Sequence, residues 1–118
     1  MLYLEESPSL VPIYDVLYRL GVTANYIGFF YVSHAVWLCS RQPARLLLVT
    51  KWLYPKVAEY YGTNWKNVER SIRTVVSVAW RNNPRLLSEL AGHRLPEKPK
   101  AAQFLSILVN STFPDSAA

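Results

Sequence analysis

Apolar residues recur at i, i+3, i+4 and i+7 in several stretches of this chain, and no stretch alternates convincingly in period two, so the pattern predicts helices throughout. A first helix is predicted from Ser9 to Leu20, with Leu10, Ile13, Leu17 and Leu20 on one side and Pro12 tolerated in the opening turn. Gly21 follows as its closing residue. The second, from about Asn25 to Ser40, is apolar nearly all round through Ile27, Phe29, Phe30, Val32, Val36, Trp37 and Leu38, which marks it as the buried central element. After Gln42-Pro43 a third helical stretch extends to Tyr61, where Gly62 ends it. Pro55 inside that stretch must either kink it or begin a new helix, because it removes a backbone donor. A fourth helix covers about Trp65 to Arg81 and is stopped by Asn82-Asn83-Pro84. Shorter helices from Pro84 to Ala91 and from Ala101 to Asn110 flank the loop Gly92 to Lys100, and the small polar tail from Ser111 is predicted to fray.

Composition narrows the class. With 118 residues, 51% hydrophobic, 14% aromatic and only 18% charged, the chain can bury one core, is too short for two, and is the opposite of a disordered sequence. A single domain is therefore expected over 1–118, its core at about 9–110. The lone Cys39 excludes an intramolecular disulfide framework and a multi-cysteine zinc site. Met1 to Ser9 carries Glu5 and Glu6 and no basic segment, unlike a signal peptide. The longest apolar run, Tyr26 to Cys39, is interrupted by Ser33 and His34 and falls short of the roughly 20 residues of a bilayer span. A soluble, cytoplasmic protein without a membrane anchor is expected.

Charge is unevenly placed. The net +5 divides into −2 over residues 1–40, where Arg19 faces Glu5, Glu6 and Asp15, and −1 over residues 101–118. Residues 41–100 hold twelve Lys or Arg against four Glu, net +8, as a polyanion-binding face would require.

The basic centre contains a short helix, a glycine-containing turn of about three residues and a longer helix, over Pro55 to Arg81, which is the helix-turn-helix layout. Ala58, Gly62 and Val68 stand where such a motif needs a small contact residue, a residue able to take positive φ, and a branched anchor. On the second helix Trp65, Val68, Ile72, Val75, Val76, Ala79 and Trp80 gather on one side. Lys66, Arg70, Arg73, Ser77 and Arg81 step along the other, with Asn67, Glu69 and Thr74 flanking this ridge. Arg can grip guanine O6 and N7 as a fork, and Glu can accept from cytosine N4. An ordinary exposed amphipathic helix, held by a Glu69–Arg73 pair, would show part of the same pattern.

The residues Leu20-Gly21-Val22, Gly28 with Phe29-Phe30-Tyr31, Leu53-Tyr54-Pro55 with Val57-Ala58, Val68-Glu69-Arg70-Ser71-Ile72-Arg73, Val78-Ala79-Trp80, and Lys98-Pro99 followed by Gln103-Phe104 closely resemble the C-terminal DNA-binding domain of stage zero sporulation protein A. That family's response regulator governs entry into sporulation, and the resemblance covers roughly residues 9–110. It implies an all-α, six-helix bundle that reads a TGTCGAA-like box in double-stranded DNA and binds tandem boxes as a homodimer. Glu69, Arg70 and Arg73 match the base-reading positions. Asn67 stands where Arg is common and Thr74 where His is common, changes that bear on target and affinity. Residues Asn82 to Ala91 resemble, less closely in sequence, the region through which the family meets the sigma subunit of RNA polymerase. The family's phosphoacceptor receiver domain has no room in 118 residues, so an effector fragment or a free-standing member is expected.

Other classes fit less well. No glycine-rich phosphate loop or paired-carboxylate motif is present, and His34, His93 and Cys39 lack spaced partners, so neither catalysis nor a cofactor or metal is expected. His34 and Cys39 are five residues apart on one helix and share no face; a satisfied or half-exposed histidine and a small buried thiol are expected. A protein-interaction module that dimerises with or titrates a full-length regulator is the main alternative, and exposed Tyr60, Tyr61 and Trp65 would suit it. Binding to a membrane surface is disfavoured, since the cations follow a helix-turn-helix rather than one long amphipathic helix.

Overall fold

The computed structural model describes residues 10–114. Among them six helices of eight residues or more account for most of the chain: α1 (Val11–Arg19), α2 (Ile27–Arg41), α3 (Tyr54–Tyr61), α4 (Trp65–Asn82), α5 (Pro84–Ala91) and α6 (Ala101–Thr112), with no strand. The acidic segment Met1–Ser9, with the predicted helix start at Ser9, and residues 115–118 lie outside the described residues.

α1 opens with Pro12 in its first turn and buries Ile13, Val16, Leu17 and then Leu20. Its end is closed by the Gly21 N–H on the Tyr18 carbonyl (2.9 Å) and the Val22 N–H on the Leu17 carbonyl (2.8 Å), the bond pair of a Schellman motif. α2 is the central element, packed against α4, α6, α1 and α3. Phe29, Val32, Ala35, Val36 and Cys39 are buried along it, and the Ser33 hydroxyl donates to the Phe29 carbonyl at 2.7 Å, so its hydroxyl is satisfied within the helix. Ile27 departs from the expected burial: as the first residue of α2 it projects past the packed layer and is 54% exposed.

The predicted third helix is three pieces. A 3-10 turn (Pro43–Leu47) and a single helical turn (Val49–Trp52) precede α3, and Leu53 breaks the chain between them with φ −121° and ψ −59°. Pro55 thus begins a helix rather than kinking one, because in the first turn its missing N–H has no partner to lose.

Three asparagines fix α4. The Asn64 side chain accepts from the Asn67 N–H at 2.9 Å and caps its start. At its other end the Asn82 amide donates to the Gly21 carbonyl and the Asn83 amide to the Arg19 carbonyl, both at 3.2 Å, while Asn83 Oδ1 accepts from the Leu86 N–H at 3.1 Å and caps α5. Asn83→Ala loses a cap and an interhelical bond together, and is expected to lower stability by about 1 to 2 kcal/mol in urea denaturation. A midpoint equal to the parent's would show that neither bond contributes.

α6 buries Phe104, Leu105, Ile107, Leu108 and Val109. It runs two residues beyond its predicted end at Asn110, closed by the Phe113 N–H on the Val109 carbonyl at 2.8 Å, so the expected fraying from Ser111 is not seen there; the Ser111 and Thr112 hydroxyls are satisfied on the Ile107 (2.7 Å) and Leu108 (2.6 Å) carbonyls.

Candidate nucleic-acid interface

The turn between α3 and α4 consists of Gly62, Thr63 and Asn64. Gly62 takes φ +68°, a left-handed conformation that costs a side-chain-bearing residue about 1 to 2 kcal/mol. The Thr63 N–H then bonds the Ala58 carbonyl at 2.9 Å, which closes α3 and turns the chain into α4. Ala58 and Val68 are both buried where the two helices meet.

α4 has two unlike faces. Val68, Ile72, Val75, Val76, Val78 and Ala79 are buried. Trp65, expected on that apolar side, is 37% exposed, and the Lys66 ammonium lies over its ring, 5.8 Å from the centroid. Trp80 is half-buried. Lys66, Arg70, Arg73, Thr74 and Arg81 are exposed on the opposite face, with Asn67, Glu69 and Ser77 half-buried at or beside it. At 1.5 Å per residue, Lys66 and Arg81 stand roughly 22 Å apart along the axis.

Glu69, Arg70 and Arg73 lie together in the first half of the helix. The Glu69 carboxylate is 3.5 Å from the Arg73 guanidinium, with Glu69 26% and Arg73 72% exposed. An i,i+4 helix pair with its arginine this exposed is worth only about 0.3 to 0.5 kcal/mol, a weak hold on the Arg73 guanidinium. Arg70 Nη2 donates to Asn67 Oδ1 at 3.2 Å, and the Asn67 amide donates to the Thr63 hydroxyl at 3.0 Å. Asn67 is thus a strut between the turn and Arg70, a role that its place on the helix does not reveal by itself. Thr74 turns its hydroxyl onto the Arg70 carbonyl at 3.2 Å.

Ser77 is covered in a way the helical spacing does not reveal. The Lys98 ammonium, from the loop between α5 and α6, donates to its hydroxyl at 3.0 Å. That loop and α4 frame a cleft of about 450 Å3, lined by Tyr54, Glu69, Arg73, Lys98 and Lys100 among others. Burial, with the Glu69 carboxylate as a smaller cause, pushes the Tyr54 phenol up to about 12, so it stays protonated there.

Among the described residues, the remaining chemistry-bearing side chains form no second centre. Cys39 is buried and its thiol pushed up to about 12, which keeps it out of nucleophilic use. His34 is buried as well, but it is not the satisfied histidine expected, since its Nδ1 has no hydrogen-bond partner. Among the described residues no group of three His, Cys, Asp or Glu could hold a metal ion, and no helix is long and apolar enough to cross a membrane.

A family model described as "Sporulation initiation factor Spo0A C terminal" matches residues 13–112, from the first turn of α1 to the last residue of α6.

Proposed function

We propose that this chain, which belongs to the Spo0A C-terminal family of sporulation regulators, reads double-stranded DNA by inserting α4 into the major groove of a TGTCGAA-like box. The observation that carries the proposal is the outward face of α4, a ridge of cations on a helix whose other face is buried and whose start is set by a tight turn. Arg70, held by Asn67, addresses guanine O6 and N7 as a fork; Glu69 accepts from cytosine N4; Arg73 exchanges its weak pair with Glu69 for a second guanine. Lys66 and Arg81 contact phosphates at the two ends of the helix, and Asn67, Thr74 and Ser77 serve as flanking contacts and struts. Tandem boxes would be filled by a homodimer, and α5 with its exposed Arg85 would face the sigma subunit of RNA polymerase.

Fluorescence anisotropy with a duplex bearing two such boxes, and with a scrambled duplex, each at two salt concentrations, tests this. Tighter and salt-sensitive binding to the boxes is expected. Arg70→Ala is expected to cost about 1 to 3 kcal/mol on the boxes and little on the scrambled duplex. Lys66→Ala should weaken both alike. Equal losses on the two duplexes for Arg70→Ala would remove it from base reading.

The interaction-module reading has one observation in its favour: Leu47 (79% exposed), Leu48 and Trp52 leave apolar surface open beside α3. Salt-insensitive capture of a full-length regulator, with no preference for the boxes, would favour it over DNA reading.

A further inference from the structure

We infer that the loop between α5 and α6 is a second DNA-contacting element, in which Lys98 and Lys100 grip the phosphate backbone beside the groove that receives α4. This deepens the DNA-binding reading and rests on it.

Four observations carry the inference. The loop is brought onto the outward side of α4, since Lys98 reaches Ser77 across 21 residues of sequence. It is also fixed in place: Leu95 is buried and its N–H bonds the Ser88 hydroxyl at 3.0 Å, and Pro99 is buried between the two exposed lysines. A proline locked at its φ and packed into the body makes both lysines project from a rigid point, so little backbone freedom is lost on binding. Third, the cleft they share with α4 brings Arg73, Lys98 and Lys100 together against one carboxylate, Glu69, which already faces Arg73. Finally, neither lysine takes part in any of the four ion pairs found among the described residues. Two unpaired ammonium groups and a guanidinium around one cleft repel one another, and a polyanion relieves that repulsion. Phosphates suit them better than base edges do, because an ammonium is a point charge without the planar fork that reads guanine.

The test is the salt dependence of anisotropy-detected binding to the two-box and scrambled duplexes, for the parent chain and for Lys98→Ala, Lys100→Ala and the double variant. Each lost phosphate contact is expected to make the plot of log affinity against log salt shallower by about 0.9, and the double variant by about twice that. The ratio of box to scrambled affinity should stay unchanged, and Lys98→Arg should keep the parent slope. Both lysines are exposed, and matching circular dichroism melts will show that the variants fold. A steep parent slope left unchanged in the double variant would overturn the phosphate contacts while leaving α4 as the reader. Loss confined to the boxes would overturn them too, in favour of an effect on base reading. A parent chain with no salt-dependent binding to either duplex would overturn the DNA reading itself.

Discussion

Gly28→Ala is expected to destabilise the protein by about 2 to 3 kcal/mol, lowering its melting temperature by roughly 10 °C. An added Cβ would lie 2.5 Å from the Ser71 carbonyl oxygen and 2.6 Å from a Val75 methyl, both on α4. The first obstacle is backbone, so no rotamer change relieves it, and α2 must back away from α4 along their shared contact. Alanine's better helix propensity returns about 1 kcal/mol at most. Gly62→Ala is the useful contrast: nothing lies within 4 Å of its added Cβ, and only the positive φ is penalised, at about 1 to 2 kcal/mol. Thermal melts of the two variants check the ordering, and a Gly28→Ala melt indistinguishable from the parent's would contradict the close approach of α2 and α4.

Acidification is expected to weaken the fold through His34, by up to about 3 kcal/mol between neutral pH and pH 4. Burial pushes this imidazole from 6.5 down to about 4. The rings of Tyr60 and Tyr61 from α3, at 4.4 and 5.6 Å, and Trp37 from α2, at 6.5 Å, surround it without giving Nδ1 a partner. The unfolded chain accepts the proton below about pH 6.5, whereas the folded one refuses it until about 4. Unfolding in that window therefore takes up a proton, so stability is whole above it, falls as pH falls through it, and reaches its floor below 4. His34→Phe keeps a ring against Tyr60 and removes the titration. Urea denaturation at pH 7 and pH 4.5 should show the parent losing about 2 to 3 kcal/mol more than this variant. Equal losses would mean that His34 takes up its proton in the fold as readily as outside it.

The helices were legible because their apolar periodicity survives in burial: Ile13 and Leu17 on α1 with Leu20 just after it, and Val68, Ile72, Val75 and Ala79 on α4, are all buried. The turn could be read from Gly62, and the match to the Spo0A C-terminal family spans the same helices. Features set by distant parts of the chain were not legible. The third helical stretch, read as running from after Gln42-Pro43 to Tyr61, is interrupted by a 3-10 turn and a break after it, which leave Leu47 facing solvent. His34 has helical neighbours in sequence, but the rings that deny it a partner come largely from α3. In the candidate interface the cationic ridge followed from spacing, whereas the part of Lys98 depends on a loop folding back onto Ser77, which no local period encodes. The tie from Asn67 to Arg70 is a local i,i+3 relation, but only the turn at Thr63 makes it a strut.

The tail of α4 is tied to a distant part of the chain, since the bonds from Asn82 and Asn83 end on carbonyls of the α1 terminus. With Val68 buried near its head and the close approach of Gly28 to Ser71 in between, the helix is held along its whole length. A rod held so cannot tilt unless its neighbours move with it, so the direction in which the cationic ridge points is a property of the bundle and not of α4 alone.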